Sequence, residues 1–227
     1  MADIDFWSGA AGAVLGSVVG GAIGFVGQWI TIRDVRKTRK EDRDTERKAL
    51  GYSLLFKAMR IHSNIAQIDQ YFKESAAQVN LQDPPQIEIW QYLVPLANLP
   101  EKIRFSPEEM GMLLSLKDNK LFNEIMVMDL VHNSQIEALS TYNAKYAELA
   151  GKTKPVAMVG PVGKLEFDGD AFMEVRPHMV AVNSLGSQIG IYAARDEKTF
   201  GEVLDRLALL LRDKLKLSVK LEIKKAI

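Results

Sequence analysis

The chain has 227 residues and no cysteine, and its 29 basic residues are balanced by 29 acidic ones to a formal charge of zero. The missing thiols exclude a disulfide framework, thiolate metal sites and cysteine nucleophiles. The balanced charge removes the global positive field with which nucleic acid is gathered, so no nucleic-acid partner is expected.

From Phe6 through Ile32 no charged residue occurs. That run exceeds the roughly 20 residues needed to cross a hydrocarbon core about 30 Å thick. Trp7 and Trp29 stand near its ends. In a helix they lie about 33 Å apart, close to the separation of the two membrane interfaces where tryptophan prefers to sit. Within the run, Gly12, Gly16, Gly20 and Gly24 recur every fourth residue, a glycine-zipper pattern. Such a stripe lets two helix backbones approach closely and pack by van der Waals contact, which predicts a homo-oligomer. A cleaved signal peptide would need a basic leader and a shorter apolar core, whereas Asp3 and Asp5 precede this one.

Arg33, Arg36, Lys37, Arg39 and Lys40 follow immediately, with Arg43, Arg47 and Lys48 beyond them. Lys and Arg next to a span set its orientation, so the N-terminus is expected outside and the C-terminal part in the cytoplasm. These residues are also the ones placed to meet lipid headgroups. The interleaved Asp34, Glu41, Asp42, Asp44 and Glu46 favour a solvated helical stalk with i,i+4 pairs such as Lys40 with Asp44.

Gly51, Leu54, Ala58, Ile61, Ile65, Ile68 and Phe72 keep a 3,4 spacing that puts them on one stripe. Span, stalk and stripe therefore read as one nearly continuous helix from about Phe6 to Phe72. Residues 75–86 read as a loop ending at Pro84-Pro85, and a short apolar segment, 87–96, follows. Ser106-Pro107-Glu108-Glu109 is a helix start with a capping box. Asp118 or Asn119 opens a longer helix to about Ala150, stopped at Gly151. Helices are expected from about Asp170 to Arg195, containing Pro177, and from the Thr199/Glu202 capping box to about Leu215. Leu215, Leu217, Val219, Leu221 and Ile223 alternate with polar residues, the period of a half-buried strand. That strand, 215–223, is matched with 162–167 as a small two-stranded patch. The charge-free stretch 177–194 reads as a core helix, because a second span would bury His178, Asn183 and Gln188 in lipid.

The fold expected is thus mainly α. Residues 1–5 form a short extracytoplasmic N-terminus, 6–32 a single transmembrane helix, 33–50 a charged juxtamembrane helix and 51–227 a soluble helical bundle domain.

Motifs for chemistry fail on inspection. Gly160-Pro161-Val162-Gly163-Lys164 lacks the glycine at 158 and the Ser/Thr at 165 that a phosphate-binding loop needs. His62, His132 and His178 show no HExxH, and Asp129 with His132 has no second copy to complete a di-iron set. Asp129 and His132 read as a polar pair within a core. No catalytic, cofactor or metal site is expected. The function expected is a membrane-anchored, non-catalytic scaffold or interaction module with the bilayer, a second copy of itself and a further protein as partners. The alternative is a pore-forming effector gated by the soluble domain.

Overall fold

The computed structural model describes residues 3–78, 88–153, 157–159, 162–164 and 169–218; side chains are described from residue 28 onward, apart from 30, 157–159, 162–164 and 169. The described residues are overwhelmingly helical. In chain order they form α1 (Asp3–Gln78), α2 (Ile89–Tyr92), α3 (Pro107–Ser115), α4 (Asn119–Lys152), β1 (Ala157–Val159), β2 (Val162–Lys164) and α5 (Gly169–Leu215). The chain divides into two units, Met1–Ala49 and Leu50–Ile227.

The first unit contributes the N-terminal part of α1, which runs without a break as the sequence implied. It also continues past Phe72, so 75–78, expected in a loop, are helical; 79–86 lie outside the described residues.

In the second unit the 3,4 stripe of α1 becomes core rather than a free coiled-coil seam. Leu54, Ala58, Ile61, Ile65 and Ile68 are all buried, in one cluster with Leu121, Ile125, Met128 and Leu139 of α4 and with Val182, Ile189, Leu204, Leu207 and Leu211 of α5. Each of the larger of these side chains contributes about 1.5–3 kcal/mol when withdrawn from water. Gly51 sits where α1 meets the end of α5: a Cβ there would stand 2.9 Å from Leu215 Cδ1 and 3.2 Å from Leu217 Cδ1. A side chain there would oblige the tips of both leucines to shift.

α3 starts as its sequence dictates, with Ser106 Oγ accepting the Glu109 amide at 3.2 Å and Glu109 Oε2 accepting the Ser106 amide at 2.6 Å. It ends at Ser115, and Lys117, just past the Leu116 cap, has a left-handed φ of 62°. Asp118 then caps α4 by accepting the Leu121 amide at 3.0 Å.

Three further expectations are corrected. Gly151 lies inside α4, and the helix stops at Thr153, which is extended and whose hydroxyl donates to the Leu149 carbonyl at 3.0 Å. The two helices expected either side of 195–199 are a single α5. Asp196, Glu197 and Lys198 contain no helix breaker, and the Thr199 hydroxyl bonds back to the Arg195 carbonyl at 3.0 Å instead of capping a new start. As expected, the helix contains Pro177, which is exposed. The carbonyl that its missing N–H leaves free is therefore on the solvent side.

The third correction concerns the strand pairing. Val162–Lys164 is a strand, but it pairs antiparallel with β1, Val159 opposite Val162 and Ala157 opposite Lys164. Leu215 is the last residue of α5 and 216–218 are not a strand, while 219–223 lie outside the described residues. Closing a short local loop costs less chain entropy than joining segments about 50 residues apart. Leu215 and Leu217 are buried in the core instead.

The charge-free stretch 177–194 is a core helix, as its polar residues implied. Met179, Val182, Ile189 and Ala193 are buried along one face of it.

Candidate functional site

The candidate residues of the N-terminal segment all lie on helical backbone. Gly12, Gly16, Gly20 and Gly24 fall on α1, as does Trp7, but their surroundings are outside the described residues. Trp29 is half exposed, with the Arg33 guanidinium 5.7 Å from the centre of its ring, a cation–π contact of modest strength in water. Arg33, Arg36, Lys37, Arg39 and Lys40 are all exposed. The i,i+4 pair formed here is Lys37 with Glu41 at 4.0 Å, not Lys40 with Asp44. Both partners are well exposed, so the pair adds little stability. Among the described residues no helix is long and apolar enough to cross a membrane; most of the 6–32 run lies outside the residues whose side chains are described.

The polar chemistry of the second unit is concentrated on the connection 88–106, which lacks regular structure apart from α2 and therefore needs partners for its backbone groups. Side chains of the long helices supply them. Tyr142 donates to the Leu93 carbonyl at 2.7 Å, Asn143 to the Leu96 carbonyl at 2.8 Å, and Tyr71 to the Val94 carbonyl. Asn183 Oδ1 accepts the Ile89 amide at 2.7 Å. Asn133 mimics a strand partner: its Nδ2 donates to the Ile103 carbonyl at 2.8 Å and its Oδ1 accepts the Ile103 amide at 3.1 Å. Asp129 Oδ2 accepts the Phe105 amide at 3.3 Å.

His132 lies under this strap, fully buried. Its Nε2 is 3.0 Å from Asn64 Nδ2 and its Nδ1 is 3.2 Å from Asn133 Oδ1. The arrangement fits a neutral ring that accepts from Asn64 and donates to Asn133. Burial pushes its pKa below the ordinary value, against the upward influence of Asn133 and Asp129. The expected Asp129–His132 pair is not direct: Asp129 Oδ1 accepts from Asn133 Nδ2 at 2.6 Å, and the asparagine stands between carboxylate and imidazole.

Glu109 is also buried, and α1 reaches it twice. Ser53 donates to Oε1 at 2.5 Å and Lys57 to Oε2 at 2.8 Å. Burial raises the carboxyl pKa, but the bonds from Lys57, Ser53 and the Ser106 amide outweigh it and hold the group below its usual range. Another buried acid, Asp196, accepts from Gln135 at 2.7 Å and pairs with Arg195.

Each of these groups is bonded within the fold. His132 has no access to solvent, and Asp129 is occupied by an amide and an asparagine. The other two histidines stand apart, His62 3.8 Å from Glu197 and His178 3.8 Å from Glu148. Among the described residues no three metal-ligating side chains converge. Two open grooves flank α4. One, of about 550 Å³, lies against α5 between Lys120, Val127, Phe200 and Arg206. The other, of about 360 Å³, lies beside Arg104, Leu130 and Glu137. Met126, Val127 and Leu130 are exposed between them, while Met128 is wholly buried, so the methionines of this helix divide between surface and core.

Sequence reasoning identified the Ser106–Glu109 box but not its link to α1. The bonds from Asn133, Tyr142 and Asn143 to the strap were also missed. Each joins residues at least 30 positions apart, and nothing local marks them. In comparison with known proteins, no family model, curated protein or solved structure matches this chain.

Proposed function

We propose that the chain is a membrane-anchored, non-catalytic scaffold or interaction module: residues 6–32 cross a bilayer, 33–50 form a charged juxtamembrane stalk, and the helical unit that follows is held at the cytoplasmic face. The observation that carries this reading is the charge-free run from Phe6 to Ile32, followed at once by Arg33, Arg36, Lys37, Arg39 and Lys40. A helix of that length satisfies its own backbone in lipid, and the one-sided basic flank orients it. The non-catalytic part is supported by polar side chains of the second unit that are taken up in its fold, Asn133 and Asp129 by the strap and Glu109 by α1. The glycines at 12, 16, 20 and 24 are the face through which copies would associate, with a further protein bound by the helical unit.

The test is expression of the full chain, followed by carbonate extraction of membranes and protease protection from either side. The expected result is a chain retained in the membrane, with cleavage of the helical unit only from the cytoplasmic side. Gly16→Leu and Gly20→Leu should reduce the oligomer in detergent. Extraction of the chain by carbonate would overturn the anchor. Membrane leakage that the glycine substitutions abolish would favour a pore instead.

A further inference from the structure

α5 presents an outer face that is free of charge for five turns and that no other described element covers. Val180, Ser184, Gln188, Ile191 and Tyr192 are all exposed, although the same helix buries Val182 and Ile189 on its opposite side. At about 100° per residue, these exposed positions fall within about 60° of a single line along the helix. From Pro177 to Ala194 no Asp, Glu, Lys or Arg occurs. An ordinary solvent-facing helix stripe carries charges, so this one has the composition of a contact surface.

The two ends of the face carry opposite charges. Glu174 lies at one end and Arg195 at the other, on the same line as the residues between them. Both keep most of their exposure while paired locally, Glu174 with Lys152 at 2.9 Å and Arg195 with Asp196 at 2.7 Å. The midpoint between them falls at Ser184 and Leu185. A two-fold axis there would lay a second α5 antiparallel on the first and set Glu174 opposite the other copy's Arg195 at both ends. The small Ser184 hydroxymethyl at the crossing would let the helices come close.

We propose that the occupant of this face is a second copy of the same chain, docked antiparallel through α5 with the axis at Ser184. A C2 contact uses one patch twice and must be self-complementary, and the end charges meet that requirement. A membrane surface fits less well, because the face offers no Lys or Arg to anionic headgroups over its uncharged length. This contact is separate from the glycine face of residues 6–32, so it stands or fails independently of the anchor.

Because the chain has no cysteine, single cysteines report the geometry directly. In the full chain in detergent, Ser184→Cys should form a disulfide-linked dimer on mild oxidation. Glu174→Cys and Arg195→Cys should each remain monomeric alone and cross-link when the two variants are mixed. Adding Ile191→Asp to Ser184→Cys should lower the dimer yield about tenfold, since it places an unpaired charge in the contact. The proposal is overturned if Ser184→Cys stays monomeric, or if it links no faster than a cysteine at the exposed Ser140 of α4. It is also overturned if Glu174→Cys links to itself as readily as to Arg195→Cys, or if anionic vesicles abolish the Ser184→Cys dimer.

Discussion

The carboxylate of Glu109 and the ammonium of Lys57 meet at 2.8 Å, with the acid almost wholly enclosed and the base one-third exposed. One residue thus closes the capping box of α3 and ties that short helix to α1. Breaking a buried pair by removing one partner leaves the other uncompensated, typically at about 3–5 kcal/mol. Glu109→Ala is expected to cost about 3 kcal/mol or more in chemical denaturation of the full chain, and Lys57→Met less, because its partner keeps Ser53 and the Ser106 amide.

The same carboxylate sets a pH dependence. Its folded pKa lies below the ordinary value of 4.5, so the unfolded chain takes up its proton first. Its contribution is fully present above the ordinary carboxylate range and is lost as pH falls through the depressed value. In Glu109→Gln the acid limb of a stability–pH curve should be shallower than in the parent chain.

His132 acts at higher pH. Burial lowers its folded pKa below the ordinary value of 6.5, so protons bind the unfolded state preferentially as pH drops through that value. Stability should be level above about pH 7 and fall towards pH 5.5, with a slope of at most about 1.4 kcal/mol per pH unit from this group. His132→Leu should flatten that part of the curve when denaturation midpoints are compared at pH 7.5 and 5.5. An unchanged slope would mean that the ring is not the group responsible.

Two glycines predict opposite outcomes. At Gly190 of α5 an added Cβ would stand 2.7 Å from Phe72 Cδ1, so Gly190→Ala must displace a ring and should cost about 1–3 kcal/mol. At Gly111 of α3 nothing lies within 4 Å, and Gly111→Ala should stabilise by about 0.5–1 kcal/mol. Thermal melts of the two variants side by side check both signs.

Lys117 holds a left-handed φ of 62° between α3 and α4. That conformation suits glycine, so Lys117→Gly should raise the melting temperature, with a gain on the order of 1 kcal/mol.

Features with a local cause could be read from the sequence. The stripe from Gly51 to Ile68, the Ser106 cap and the Asp118 cap each depend on residues within one or two turns, and each is found where its spacing put it. The errors arose where a local signal met a stronger tertiary one. The Thr199 cap yielded to a continuous α5 pinned by Gln135 on Asp196, and the alternating tail yielded at Leu215 and Leu217 to burial beside Gly51. The left-handed lysine just beyond α3 was illegible because glycine is the usual marker. The polar ties of the strap have no sequence period at all.

Those ties give the strap a distinctive response to thermal motion. The amides of Ile89, Ile103 and Phe105 are held by Asn183, Asn133 and Asp129 rather than by a ladder of neighbouring backbone. Their protection from solvent hydrogen therefore depends on side chains staying in place on helices that themselves remain intact. Amide exchange there should follow a single subglobal opening, shared among residues far apart in the chain and faster than exchange from the buried turns of α1, α4 and α5. The segment 88–106 is then a latch laid across the helices, expected to let water in before their buried turns do.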